Sequence, residues 1–223
     1  MSYTASQLAE IPWIVSTDTL KPEHLLVGFW QAAEQVHLIA YSGQPFAADR
    51  RDLASVLVRL AGEDASESDW DDALAQQAIE GLSDYLSEHA PAGFYFGSNE
   101  GDGACFGFWL ADDWAEALSE RGLEMEDPET AAQLVQLFKD HGLTPDTLAD
   151  GLAGEADGWN PEQAGAAWCE EFAVDCGMVP DDLQWPLNCL DWERAWRELR
   201  IGDGYTAEPN PGAGADYLIL RPV

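Results

Sequence analysis

Gly93-Phe94-Tyr95-Phe96-Gly97, Ser98-Asn99-Glu100-Gly101-Asp102-Gly103 and Ala104-Cys105-Phe106-Gly107-Phe108-Trp109 follow one another without a break. Two aromatic runs flank a loop of turn-forming residues, which predicts a β-hairpin. Upstream of it the hydrophobic period is helical. Leu25, Leu26, Phe29 and Ala33 mark a helix from about Pro22 to Gln35, with Pro22 suited to the first helical position. A short strand is expected at Val36 to Tyr41. Helices follow near Asp49 to Ala61, stopping at Gly62, and near Asp69 to His89, with Leu74, Ala78, Leu82, Tyr85 and Leu86 facing inward.

Downstream of the hairpin the punctuation is again helical. Asp127-Pro128 opens a helix that Gly142 closes, Thr144-Pro145 opens a short one, and Asn160-Pro161 opens another that ends at Gly177. A last helix starts at Asp191, with Trp192, Ala195, Trp196 and Leu199 on its core face. Strands near Tyr205 to Ala207 and Tyr217 to Leu220 complete the chain. The expected class is α+β: an N-terminal α/β domain over residues 1–120 carrying the aromatic hairpin, then a mainly helical region, 121–223, that ends in a small helix-plus-antiparallel-sheet unit. The boundary is expected near Leu118 to Asp127.

Charge decides which functions to consider. Forty-two Asp and Glu stand against 10 Lys and Arg in 223 residues, a net charge of −32. Such a field repels nucleic acid and anionic membranes. Hydrophobic residues at 46%, with 10 Trp, still supply a core, so the chain is not expected to be disordered. Residues 60–120 carry 15 acids and no Lys or Arg, and residues 140–193 carry 13 and none. Glu80, Asp84 and Glu88 stand at i, i+4 and i+8 of one predicted helix, where each like-charge pair costs roughly 0.2–0.5 kcal/mol. Glu162, Glu170, Glu171 and Asp175 lie on another. A solubilising or salt-adapted surface gives similar compositions. The sharper reading is that carboxylates on rigid elements imitate phosphates, since the charge equals roughly 16 base pairs' worth of duplex backbone. These seven residues are the candidate partner-binding set.

Catalytic signatures are missing. No G-x-S-x-G, Walker loop, G-x-G-x-x-G or C-x-x-C occurs, and paired carboxylates are too numerous for any pair to stand out. Glu100-Gly101-Asp102-Gly103 lacks the ligand ladder of an EF-hand, and His24, His37, His89 and His141 read as isolated structural residues. No cofactor or metal is expected, and the protein is taken as a non-enzyme. Cys105, Cys169, Cys176 and Cys189 are expected to be reduced and mostly buried. The N-terminus lacks a signal pattern and no apolar run approaches a membrane span, so a cytoplasmic location is expected.

The C-terminal order of Ala153-Gly154-Glu155-Ala156-Asp157, the Trp168-Cys169-Glu170-Glu171-Phe172-Ala173 helix, Gly177-Met178-Val179-Pro180-Asp181-Asp182-Leu183, the Asp191-Trp192-Glu193 helix and Gly204-Tyr205 resembles the end of the ArdA family of antirestriction proteins, over about residues 152–207. The resemblance implies an elongated acidic homodimer, carried by a phage, plasmid or other mobile element, that mimics bent DNA. It would occupy the DNA groove of a type I restriction–modification complex in the host cytoplasm. A CRISPR effector is the alternative target, and an acidic adaptor neutralising a basic protein partner is the alternative role. A dimer interface is expected among Trp185, Trp192, Trp196, Tyr205 and Tyr217, because aromatics concentrate at interface cores; filling of a small core is the other reading.

Overall fold

The computed structural model describes residues 3–41, 72–123, 125, 127–180 and 189–223; the helix expected at 49–61 lies outside them. Among these residues helices combine with two three-stranded antiparallel sheets, and the class is α+β. The chain divides into two units, Met1–Ala111 and Asp112–Val223.

In the first unit a short α1 (Ala5–Leu8) and β1 (Ile14–Ser16) precede α2 (Pro22–Ala40), α3 (Asp72–Glu88) and the hairpin strands β2 (Phe94–Ser98) and β3 (Phe106–Leu110). The hairpin forms as expected, with Phe94 opposite Leu110 and Ser98 opposite Phe106. Its tip is closed by side chains: Asn99 Oδ1 accepts from the Gly101 amide at 2.8 Å and Asp102 Oδ1 from the Ala104 amide at 3.0 Å. β1 adds to the free edge of β3, an addition that residues 13–16 do not signal.

The strand expected at Val36 to Tyr41 does not form; α2 runs on to Ala40. Ala32, Ala33, Val36 and Ile39 prolong the buried face that Leu25, Leu26 and Phe29 begin, and that face packs on α3. Burial of a continuous stripe overrides the β propensity of the local run. Gln7 Nε2 donates to the Ile39 carbonyl at 2.8 Å, satisfying one of the orphan acceptors of the last turn. Ala78, Leu82, Tyr85 and Leu86 of α3 are buried as expected. The Phe29 ring sits edge-on to Phe96 at 4.9 Å between centroids, and Phe96 lies 5.3 Å from Phe108, so helix and sheet share one aromatic core.

The second unit contains α4 (Asp112–Glu120), α5 (Pro128–Asp140), α6 (Pro145–Gly151), β4 (Leu152–Ala156), α7 (Pro161–Asp175), α8 (Trp192–Gly202), β5 (Thr206–Pro209) and β6 (Tyr217–Leu220). The caps are those read from the sequence. Asp127, Asn160 and Asp191 each accept from an amide three residues on, and Gly142 and Gly177 take the left-handed conformation after their helices. Two elements were not expected. α4 packs against α6 within this unit, and β4 pairs with the central strand β6 although Leu-Ala-Gly-Glu-Ala has poor strand propensity. The sheet order is β4-β6-β5, with α7 and α8 packed together over it. Ala164, Trp168, Cys169, Trp196, Ala207 and Ile219 form its core.

Burial also sets an alkaline limit. Desolvation pushes the Cys169 thiol from its ordinary 9.0 to about 11. Desolvation first, and Tyr41 second, push the Tyr3 phenol from 10.0 to about 12. In both cases the folded chain holds the proton more tightly than the unfolded one, so the stabilisation is complete below the unfolded pKa and is lost as pH rises through the folded value. Urea midpoints measured from pH 8 to pH 12 are expected to fall from about pH 9 onward; a flat profile would show that neither group is held in its buried place.

Candidate partner-binding surface

On α3 the buried face leaves Glu80, Asp84 and Glu88 exposed. Steps of four residues rise about 6 Å and drift about 40° around the axis, so the three carboxylates form one slowly turning stripe. Among the described residues none of them has a cationic partner. Glu80 Oε1 accepts from Gln76 Nε2 at 3.0 Å, a contact that orients the carboxylate and leaves its charge in place. Glu80 and Asp84 also border a cleft of about 360 Å³ that Leu25, Phe29 and Phe106 line.

The α7 set is less uniform. Glu162, Glu170, Glu171 and Asp175 are all exposed. Glu162 Oε1, however, accepts from Arg200 Nη1 at 2.9 Å: the stretch 140–193 holds no base of its own, but α8 brings an arginine from 38 residues away. Glu170 and Glu171 are adjacent on the solvent side, and Asp175 follows Glu171 by four residues. Asp175 closes the helix in a last turn without a basic residue. There the negative end of the helix dipole adds to the carboxylates, so negative potential concentrates at the C-terminal half of α7.

Other expectations are corrected. Trp196 is 2% exposed, and Trp192, Tyr205 and Tyr217, half-buried, pack against its cluster, so these aromatics contribute to the core of the second unit; Trp185 lies outside the described residues. Of the four thiols only Cys169 is buried, Cys105 is half-buried, and Cys176 and Cys189 are exposed. The histidines are not all isolated. His37 Nδ1 lies 2.7 Å from the Tyr85 hydroxyl, and the Tyr85 ring stacks on His89 at 4.0 Å. His89 Nδ1 lies 2.9 Å from the Tyr85 carbonyl oxygen. These contacts join α2 to α3. His141, which caps α5, lies 3.4 Å from Glu208. No group of three or more metal-type ligands converges among the described residues.

Comparison with protein-family models, with curated proteins and with solved structures gives no match. Within the second unit, a groove without a local sequence signal lies against α7, lined by Asp157, Gly158, Trp159 and Asp216. Trp159 sits between loop-forming residues, and its exposure is a tertiary property that no local pattern announces. No helix among the described residues is long and apolar enough to cross a membrane.

Proposed function

We propose that the protein is a non-enzymatic DNA mimic that inhibits a DNA-binding defence enzyme in the host cytoplasm. The observation that carries this reading is the stripe of Glu80, Asp84 and Glu88: ordered on a helix, exposed, and without cationic partners among the described residues. A surface selected only for fold stability gains by interleaving lysine at such spacings. A surface that must displace phosphate gains by leaving the field open. The resemblance of residues 152–207 to the ArdA family supports a type I restriction–modification complex as the target. Association is steered by long-range attraction to a basic groove, and screening over about 8 Å at physiological ionic strength makes it salt-sensitive. Pull-down from a host lysate at low and high salt tests this. Recovery of a nucleic-acid-binding enzyme at low salt supports it; recovery of none, with restriction unimpaired in cells that express the protein, overturns it.

The same resemblance supports a homodimer. Two bodies of −32 each repel, so association is expected to tighten as salt rises, opposite to the partner interaction. Light scattering across a salt series should then show a mass approaching twice 24.4 kDa at high salt. A single 24.4 kDa species at every salt and at micromolar concentration would exclude the dimer.

A further inference from the structure

Trp159 is 94% exposed, more than any other large hydrophobic side chain among the described residues. Its backbone is nevertheless held on both sides. The Gly158 amide donates to Asp216 Oδ2 at 3.2 Å, and the Asp216 amide donates to Asp157 Oδ1 at 3.2 Å. A Cβ on Gly158 would lie 2.6 Å from the Ala164 amide nitrogen, so the loop is pressed onto the first turn of α7. On the other side Asn160 caps that helix and Pro161 begins it. A large aromatic is thus presented from an anchored loop with almost no intramolecular cover.

The indole forms one wall of a groove of about 450 Å³ whose other linings are Asp157, Gly158, Gln163, Ala167 and Asp216. No base lines it. Asp157 and Asp216 each accept a backbone amide and are exposed, so two carboxylates line the groove together with the apolar side chains of Trp159 and Ala167. We propose that this groove receives one arginine side chain of a basic protein partner, a proposal that rests on the reading of the protein as a ligand for a basic groove. A planar guanidinium stacks on indole and offers several donors to the two carboxylates, which a lysine ammonium matches less well. An anionic ligand is repelled, and a purely apolar one would bury two carboxylates without a cation. Glu171 follows Ala167 by one turn of α7, about 6 Å away, close to the roughly 6.6 Å between alternate residues of an extended chain. The partner segment that fits therefore carries two arginines separated by one residue.

The probe is a short acetylated peptide with two arginines separated by one glycine, compared with lysine and citrulline versions by NMR titration of the full chain. The arginine peptide is expected to shift the Trp159 indole and Gly158 amide signals and to bind about tenfold more tightly than the citrulline peptide. Trp159→Ala, a change at an exposed side chain, should remove most of that advantage and leave the folded spectrum intact. Equal binding by wild type and Trp159→Ala, or shifts spread over all acidic helices, would overturn the proposal in favour of diffuse attraction. Trp159 signals that move with protein concentration alone would overturn it in favour of a second copy in the groove. Intact peptide binding by a chain that blocks no DNA-binding enzyme would keep the arginine site and remove the inhibitor reading. Inhibition unaffected by Trp159→Ala in a chain that ignores the peptide would do the reverse.

Discussion

Glu162→Lys, Glu170→Lys, Glu171→Lys and Asp175→Lys combined in one chain are expected to weaken inhibition by roughly a thousandfold, while any one of them alone changes it about fivefold or less. An exposed carboxylate contributes about 0.2–1 kcal/mol, and reversal adds repulsion of similar size. Four such changes sum to about 4 kcal/mol, and each 1.4 kcal/mol is about tenfold in affinity. The fold should not suffer. The pair at 171 and 175 is like-charged at i, i+4 before and after the change, whereas Asp175→Lys removes a carboxylate that opposes the helix dipole in a last turn with no base. Glu162→Lys loses the pair with Arg200 and places a cation in the first turn, a cost that the gain at 175 offsets. Loss of inhibition with an unchanged or raised thermal midpoint would separate partner binding from stability. If a single Asp→Asn change at any position eliminated activity in a folded chain, catalysis or metal binding would be the better account.

The second large effect is on stability. Gly165→Ala is expected to destabilise the second unit by about 3 kcal/mol and to lower its melting temperature by on the order of 10 °C. A Cβ at this position would lie 2.1–2.6 Å from the Trp196 indole. That ring cannot withdraw, because it is fully enclosed by the cluster around Trp168, Ala207 and Ile219. The Trp196 indole N–H has no hydrogen-bond partner among the described residues. Trp196→Phe therefore sacrifices packing and no hydrogen bond, and it makes room beside Gly165. The two changes combined should cost less than the sum of their separate effects. Strict additivity in a thermal or urea melt would show that the α7–α8 contact is looser than the geometry requires.

Helix boundaries in the second half were legible because they are written in local chemistry. Asp127-Pro128, Asn160-Pro161 and Asp191 each supply a side-chain acceptor to the first turn. The hairpin was legible for a similar reason. β4 was not: Leu-Ala-Gly-Glu-Ala becomes a strand because the Tyr-Leu-Ile-Leu of β6 offers it an edge 65 or so residues away in the chain, a long-range cause with no local trace. The end of α2 was misread because Val36 to Tyr41 is rich in strand formers, while the helical burial stripe through Val36 and Ile39 decides the outcome. The exposure of the seven candidate acids followed from charge alone, since unpaired carboxylates resist burial. Their pairing did not follow, because Arg200 reaches Glu162 only through the packing of α8 on α7. The Trp159 groove needed both strand β4 and the Asp216 loop to be in place.

The central claim is that these exposed carboxylates compete with DNA for a basic groove. Its most direct test is displacement of a labelled duplex from a purified type I restriction–modification enzyme, followed by fluorescence anisotropy over a series of salt concentrations. The account predicts competitive displacement that weakens steeply as salt rises and that is lost in the four-lysine variant. Duplex binding left undisturbed at low salt by a large excess of the folded protein would contradict it.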